Sequence, residues 1–298
     1  MSVPKGGIAF FDSGIGGLTV LAECRKRIKN ALFYYYGDNR HAPYGNRSER
    51  QIKRYVFRVF RKFKRLHVRA VVVACNTVTA VCIEELRKKY AFPILGTEPA
   101  VLSACKEGGE VLVLTTKAAN QSPRFRALCQ RAQEKCKGAK LHLVPCEGLA
   151  GAIEAHLLDG AYDYSALLPT GSPNAVVLGC THYIYLKETI QKRYACTVFD
   201  GNEGVAKRLE NTLRFQDLGR ATTFCPISTR KDKNRAKTRL RRLVKPLYIK
   251  ANKRSYFSKI KNAEALETSG IQPIFFLGRS KQTNKNIYKQ MFVLSGRG

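Results

Sequence analysis

Ala70-Val-Val-Val-Ala-Cys-Asn-Thr77 and Ala175-Val-Val-Leu-Gly-Cys-Thr-His182 repeat one pattern, with their cysteines 105 positions apart. Each segment is a continuous apolar run that ends at a cysteine and continues into a polar turn and a predicted helix. Such runs are typical of parallel β-strands that are covered on both faces. Because ligands of open α/β folds bind at the carboxyl ends of the strands, we expect Cys75 and Cys180 to lie at binding edges.

The rest of the chain alternates in the same way. Apolar runs predict further strands at 7–12, 31–36, 92–96, 110–114, 140–144 and 274–278. Apolar residues at helical spacing predict helices at 18–28, 48–66, 78–90, 123–137, 149–158, 163–168, 183–193 and 283–292. This order predicts an α/β fold of two similar domains with mainly parallel sheets, and an active site in the cleft between them.

The composition is that of a globular chain. It has 298 residues, of which 44% are hydrophobic, enough to bury a core. We find no apolar run of about 18 residues and no signal-peptide layout at the start, so we expect a cytoplasmic protein without a membrane span. The ten cysteines are dispersed and form no C-x-x-C pair, so we expect neither a disulfide scaffold nor a metal site.

The charge is unusual for an enzyme of small molecules. The formal net charge is +31, and residues 222–298 hold 19 Lys and Arg against 3 Asp and Glu. A basic segment of this kind suits a nucleic-acid partner, which we keep as an alternative role. A solvated and poorly ordered charge run is the favoured interpretation of residues 222–270.

Two cysteines at matching strand ends favour acid–base chemistry. A helix N-terminus stabilises a thiolate, and His182 could hold or relay a proton next to Cys180. A single activated cysteine would suggest a nucleophile, as in a thiol hydrolase. A symmetric pair instead suits racemisation, which needs a base on one face of a carbon and an acid on the other. Nothing in the sequence suggests a pyridoxal site, so no cofactor is expected.

A glycine-rich turn, Asp12-Ser13-Gly-Ile-Gly-Gly17, follows the first predicted strand and opens a helix. Its backbone N–H groups could bind a carboxylate, with Asp12 near a substrate ammonium. It fits neither the Walker pattern nor G-x-G-x-x-G. The alternative is a tight strand–helix turn with an acidic cap.

Five motifs in register carry a family resemblance. They are Phe11-Asp-Ser-Gly-Ile-Gly-Gly17, Pro43-Tyr-Gly45, Ala74-Cys-Asn-Thr77, Glu98-Pro-Ala100 and Gly179-Cys-Thr-His-Tyr183. Together, over about residues 7–215, they resemble the bacterial glutamate racemases of the aspartate/glutamate racemase family. The resemblance implies an isomerase that needs no pyridoxal and interconverts L- and D-glutamate. Its product would supply peptidoglycan biosynthesis, and hence cell wall and cell shape. A racemase of another amino acid, such as aspartate, is the alternative.

The resemblance also assigns residues. It implies that Cys75 removes the α-proton of D-glutamate and Cys180 that of L-glutamate, with Asp12, His182 and Glu154 assisting. Glu147 is a weaker candidate than Glu154. The residues expected to contact the substrate or its hydrogen-bond network are Asp12, Ser13, Pro43, Tyr44, Gly45, Asn76, Thr77, Thr116, Thr181 and His182.

Domain organisation follows from the same resemblance. Domain one is expected to comprise residues 1–97 plus about 208–298, and domain two residues 98–207. Homodimers are common in the family, so a homodimer is expected. The chain departs from the family at Ile184, where proline is usual, and in the stretch after Thr116. Residues 222–270 match nothing in the family and are interpreted as an insertion or a diverged end.

Overall fold

The computed structural model describes residues 6–28, 31–159, 161–221 and 274–276. The strands are β1 Ile8–Asp12, β2 Phe33–Gly37, β3 Ala70–Val73, β4 Ile94–Gly96, β5 Gly109–Thr115, β6 Ala139–Pro145, β7 Ala175–Leu178, β8 Thr197–Phe199 and β9 Ile274–Phe276. The α-helices are α1 Gly17–Arg27, α2 Glu49–Arg65, α3 Asn76–Lys89, α4 Val101–Cys105, α5 Lys117–Gln121, α6 Pro123–Lys135, α7 Leu149–His156, α8 Lys187–Tyr194 and α9 Asn202–Ala221. Short 3₁₀ helices cover Tyr44–Asn46, Ser165–Leu167 and Thr181–Leu186.

The strands form two sheets, ordered β4-β3-β1-β2-β9 and β6-β5-β7-β8. Every strand pair is parallel. The predicted α/β class with two similar parallel-sheet halves is therefore confirmed. The matching strand–cysteine segments supply β3 in the first sheet and β7 in the second, and all four residues of each strand are buried.

Each sheet is covered on both faces, as its apolar strands require. Along β1, Ala9 and Phe11 join one core cluster, whereas Ile8 and Phe10 join the cluster on the opposite face. The amphipathic helix α2 covers the first of these faces. Its N-terminus is fixed by a capping box, in which Ser48 accepts from the Gln51 N–H and the Gln51 side chain accepts from Ser48 N.

Some predicted elements differ in the structure. The helix predicted at 163–168 is only the 3₁₀ turn Ser165–Leu167, because Pro169 forces Leu168 into an extended conformation. The helix predicted at 183–193 begins as the 3₁₀ segment Thr181–Leu186 before α8. Strand β8 and helices α4, α5 and α9 lack a counterpart in the sequence prediction.

The end of the chain returns to the first sheet. Helix α9 packs against α1, and its residues Val205, Ala206 and Leu209 belong to a core cluster of the first sheet. The predicted last strand is confirmed as β9, where Ile274 pairs with Phe33 of β2. The basic segment 222–270 and the helix predicted at 283–292 lie outside the described residues. The division into domains at 97 and 208 stays a prediction.

Candidate active site

The glycine turn after β1 packs directly against the second half of the chain. A Cβ on Gly14 would lie 1.7 Å from Glu154 Oε1, and one on Gly16 would lie 2.5 Å from Thr181 Oγ1. A Cβ on Gly16 would also lie 2.7 Å from the backbone N of His182, so a side chain there would push the two halves apart. The glycines therefore allow the carboxyl end of β1 to meet the segment that follows β7.

Protein carboxylates occupy two N–H groups of this turn. Gly14 N–H donates to Asp12 Oδ2 at 2.9 Å, and Ile15 N–H donates to Glu154 Oε1 at 2.8 Å. The two carboxylates that the turn binds in this arrangement belong to the protein, and binding of a substrate carboxylate stays a prediction. Tyr35 and Tyr185 orient the same turn, because their hydroxyls donate to Gly14 O at 2.8 Å and to Ile15 O at 2.9 Å.

Cys75 lies at the N-cap of α3 and is 5% exposed. Its thiol donates to Ser13 Oγ at 3.7 Å. Burial raises the pKa of Cys75 above its ordinary value, and the charges of Asp12 and Cys180 act in the same direction. The Val78 N–H and Ser13 oppose this rise without cancelling it. The expectation of a thiol whose pKa is lowered by the helix N-terminus is therefore wrong for Cys75, because desolvation outweighs the helix.

Cys180 begins a chain of polar contacts. Its Sγ lies 3.6 Å from His182 Nδ1, and His182 Nε2 lies 2.6 Å from Glu154 Oε1. Burial alone would lower the pKa of His182. The hydrogen bonds and charges of Cys180 and Glu154 outweigh burial, so that pKa is well above its ordinary value. The imidazole therefore favours its charged form between a thiol and a carboxylate.

The raised pKa of His182 makes stability depend on pH. The folded protein holds this proton more tightly than the unfolded chain, whose histidine pKa is about 6.5. We expect the contribution of His182 to the free energy of unfolding to be complete below about pH 6.5 and to decline as pH rises towards the folded-state pKa. The free energies of unfolding of the native protein and of His182→Asn, measured with urea between about pH 6 and pH 9, test this expectation. A stability difference that grows with pH would contradict this assignment.

Asp12 connects the two halves. Its Oδ1 accepts from Thr181 Oγ1 at 3.4 Å, and the side chain is fully buried. Burial raises the pKa of Asp12, while the charge of His182 and backbone N–H groups partly oppose the rise. Asp12 is therefore a carboxyl group whose proton affinity depends on its neighbours, as acid–base sites require.

A second group of predicted residues surrounds the turn Tyr44–Asn46. The Tyr44 hydroxyl donates to Asp38 Oδ2 at 2.6 Å. A Cβ on Gly45 would lie 3.0 Å from Thr116 Cβ, and Thr116 Oγ1 lies 2.9 Å from Thr77 Oγ1. The charge of Cys75 helps to raise the pKa of Tyr44, although burial is its main cause. This group therefore adjoins the Cys75 side of the site.

The remaining predicted residues have defined partners. Asn76 Nδ2 donates to Thr97 O at 3.2 Å. Pro43 faces α7, because its Cγ lies 3.9 Å from where a Cβ on Gly151 would stand. Glu147, the weaker candidate, is exposed and pairs with Lys117 at 3.5 Å. Glu154 rather than Glu147 thus contacts His182.

Sequence reasoning missed Asp38. It is 7% exposed and contacts both Tyr44 and His41, whose Nδ1 lies 2.8 Å from Asp38 Oδ2. A signal was present, since Asp38 follows β2 as Asp12 ends β1, and neighbouring parallel strands end at one edge of their sheet. Asp38 is therefore a buried carboxylate at the same edge as Cys75.

Both thiols are nearly buried. Cys75 and Cys180 are 5% and 7% exposed. A cleft of about 570 Å³ lies between the C-terminal end of α3, β4 and α9, and neither cysteine lines it. That cleft is therefore separate from the site that contains the thiols.

The described residues hold neither a metal-binding cluster nor a membrane-spanning helix. Among them, no group of His, Cys, Asp and Glu has the arrangement needed to hold a metal ion. Within the same part of the chain, no helix is long and apolar enough to span a membrane.

Comparison with known proteins places this chain in a family of isomerases. The sequence profile of the Asp/Glu/Hydantoin racemase family matches residues 19–209. A glutamate racemase of Clostridium botulinum is 33% identical over 252 residues, covering 78% of this chain and 95% of that protein. The chain therefore belongs to the Asp/Glu/Hydantoin racemase family, and its enzyme class is that of amino-acid racemases.

Solved structures agree with this membership. A glutamate racemase isoform of Bacillus anthracis aligns with a TM-score of 0.61 at 30% identity, covering 72% of this chain and 84% of that one. The glutamate racemase of Escherichia coli, solved with L-glutamate and the activator UDP-MurNAc-ala, aligns with a TM-score of 0.63 at 29% identity, covering 71% and 83%. The two-sheet fold is thus shared with these enzymes.

The tyrosine that holds the glycine turn offers a test of its role. Tyr185→Phe removes the hydroxyl that donates to Ile15 O, a change worth about 1 kcal/mol for a neutral hydrogen bond. We expect kcat/KM to fall by about fivefold without loss of the fold. Tyr164→Phe is the matched control, because the Tyr164 hydroxyl has no hydrogen-bond partner among the described residues. Equal kinetics of the two variants would show that Tyr185 does not position the turn.

Proposed function

We propose that this protein interconverts L- and D-glutamate by a two-base mechanism, with Cys75 and Cys180 as the bases. The observation that carries the proposal is the matched placement of the two thiols. Each follows a buried parallel strand, and each is the N-cap of a helical segment. Cys75 contacts Ser13, and Asp12, the residue before Ser13, accepts from Thr181, the residue after Cys180, so both thiols adjoin the same turn.

The reaction moves one proton on each face of the α-carbon. In one direction, the Cys75 thiolate takes the α-proton of D-glutamate while the Cys180 thiol donates a proton to the opposite face. Cys75 ends as a thiol and Cys180 as a thiolate, and exchange with solvent restores the starting state. The reverse direction uses Cys180 as base and Cys75 as acid. Negative charge on the substrate is stabilised by hydrogen bonds, which is the role proposed for Ser13, Asn76, Thr77, Thr116 and Thr181.

The two proposed bases differ in their charged neighbours. His182 favours its charged form and contacts Cys180, so it stabilises a thiolate there. Glu154 keeps that charge on His182. Asp12 is next to both halves and carries a raised pKa, which suits a group that exchanges a proton. Desolvation of Cys75 makes its thiolate more basic, which favours abstraction from carbon.

Glutamate is the proposed substrate because the relatives named above are glutamate racemases and the Escherichia coli enzyme was solved with L-glutamate. Aspartate is the alternative within the same chemistry. We propose further that the enzyme acts in the bacterial cytoplasm, where D-glutamate supplies peptidoglycan. We also propose that the chain has two domains, divided near residues 97 and 208, and that it assembles as a homodimer.

The test is proton exchange in D₂O. Purified protein is incubated with each enantiomer of glutamate and, separately, of aspartate, and product chirality and Cα deuterium are followed by chiral chromatography and mass spectrometry. We expect deuterium in the product enantiomer of glutamate and little in the remaining substrate at early times. Absence of exchange with both enantiomers of glutamate would disprove the proposal. Faster turnover of aspartate would replace the substrate and keep the mechanism.

A further inference from the structure

Helix α2 carries a stripe of five arginines on its exposed face: Arg50, Arg54, Arg58, Arg61 and Arg65. They are spaced by four, four, three and four residues. At about 100° per residue they all fall within an arc of about 80°, and at 1.5 Å per residue the stripe is about 22 Å long. We call this surface the arginine stripe.

The opposite face of α2 belongs to the core. Ile52, Val56, Val59, Phe60 and Phe63 are all buried, so α2 lies flat on the first sheet and cannot rotate. The stripe is therefore a fixed, straight row of guanidinium groups. An ordinary solvated helix face carries both charge signs. Helix α2 does not, because it has eight basic residues and only one acidic residue, Glu49.

The charge of the stripe is not compensated within the described part of the chain. None of the five arginines forms an ion pair there. The nearby carboxylates of Glu49 and Glu85 both bind Lys53 instead, each at 2.5 Å. Arg54 lies 5.2 Å from the centroid of the Tyr55 ring and donates from Nη2 to the Tyr55 hydroxyl at 3.4 Å, so both contacts are with a neutral group. The five exposed guanidinium groups thus carry positive charge that no carboxylate among the described residues neutralises.

We propose that the arginine stripe binds the phosphate backbone of nucleic acid, independently of base sequence. Guanidinium groups pair with phosphates through two parallel hydrogen bonds, and Arg serves this purpose better than Lys. A stripe of about 22 Å matches roughly six base-pair steps of a duplex at 3.4 Å per step along its axis. The proposed contacts are with phosphates, which carry no sequence information.

Other occupants fit less well. A membrane-surface helix inserts an apolar face among the lipids, whereas that face of α2 is packed in the core. The large hydrophobic side chains that are exposed among the described residues, Leu102 and Leu158, belong to the other half of the chain. Residues 222–298 cannot neutralise the stripe either, because they are themselves basic, with 19 Lys and Arg against 3 Asp and Glu.

The test compares two triple variants of the full-length chain. The stripe variant is Arg54→Gln, Arg58→Gln and Arg61→Gln. The matched control is Arg131→Gln, Lys135→Gln and Lys137→Gln, which removes the same charge from exposed positions on and after α6. Binding of a fluorescein-labelled 20-base-pair DNA duplex of arbitrary sequence is measured by anisotropy at several KCl concentrations. Circular dichroism and racemase activity serve as checks of the fold in both variants.

The expected results separate the stripe from general charge. Each lost phosphate contact lowers the slope of log K against log salt by about 0.9, so the stripe variant should lose about 2.7 and bind roughly tenfold or more weakly at moderate salt. The control should keep the native slope. Equal losses in both variants, or no binding by the native chain at low salt, would overturn the proposal. So would tighter binding to phosphatidylserine vesicles or to polyglutamate, either of which would assign the stripe to another partner.

Discussion

Replacement of either Cys75 or Cys180 by alanine is expected to abolish net racemisation while the protein stays folded. General acid–base groups contribute about 10²- to 10⁴-fold to a rate, and a two-base reaction loses that contribution in both directions when one base is removed. Because the equilibrium constant of a racemisation is one, kcat/KM must fall equally for the two enantiomers. Rates with L- and D-glutamate measure the loss, and thermal unfolding reports on the fold.

Deuterium exchange shows which cysteine acts on each face of the α-carbon. In Cys180→Ala, Cys75 remains to remove and return the α-proton on one face, so exchange is expected in D-glutamate without inversion. In Cys75→Ala, exchange is expected in L-glutamate alone. The opposite pattern would interchange the two bases, and a fully active single variant would exclude the two-base mechanism.

Cys82→Ala is the matched control for these variants. Cys82 lies in α3, the helix whose N-cap is Cys75, and is buried in the same core cluster as Cys75. Burial raises the pKa of Cys82 to about 12, so a raised thiol pKa by itself does not distinguish a base. We expect this variant to lose some stability and to keep its kcat/KM within about twofold, since surface and packing changes away from the site act mainly on folding.

The positions of the two thiols could be predicted because they depend on local sequence. A continuous apolar run predicts a buried parallel strand, and the residue that ends the run lies at the edge where ligands bind. The same reasoning gave Asp12 and the glycine turn. It also indicated which half of the chain each belongs to, as β3 and β7 confirm.

The contacts that join the halves could not be predicted in this way. Ile15 and Glu154 are 139 positions apart, and no periodicity of either segment predicts that the N–H of one meets the carboxylate of the other. The packing of helix α9 on the first sheet could not be predicted from local sequence either, because it depends on which surface the other elements leave uncovered. The pKa of Cys75 depends on burial, which a helix N-terminus in a sequence does not reveal.

The glycines of the turn allow the two halves of the chain to meet. A turn with a side chain at position 16 could still bind an anion through its N–H groups, but its new Cβ would lie 2.7 Å from the backbone N of His182, so the two segments could not approach as closely. The glycine turn is therefore needed less for its own conformation than for the contact between halves. That contact also brings Glu154 within reach of His182.

Substitution of this glutamate, Glu154→Gln, is expected to have the second-largest effect on activity. Glutamine keeps the shape and can still accept from the Ile15 N–H, but it removes the charge that holds a proton on His182. One of the two groups that oppose the effect of burial is then lost, and the pKa of His182 falls. A neutral imidazole stabilises the Cys180 thiolate less well, and we expect kcat/KM to fall by about 10²-fold, within the range that acid–base groups contribute.

The pH profile of kcat/KM distinguishes the loss of charge on His182 from a structural effect of the substitution. If charged His182 supports Cys180, the alkaline limb of kcat/KM must move to lower pH in Glu154→Gln, because the proton on His182 leaves at lower pH than in the native enzyme. Glu147→Gln is the matched control, since Glu147 is exposed and pairs with Lys117 at the surface. We expect its rate and profile to stay native. A lower rate of Glu154→Gln with an unshifted alkaline limb would mean that Glu154 holds the glycine turn in place without acting on His182.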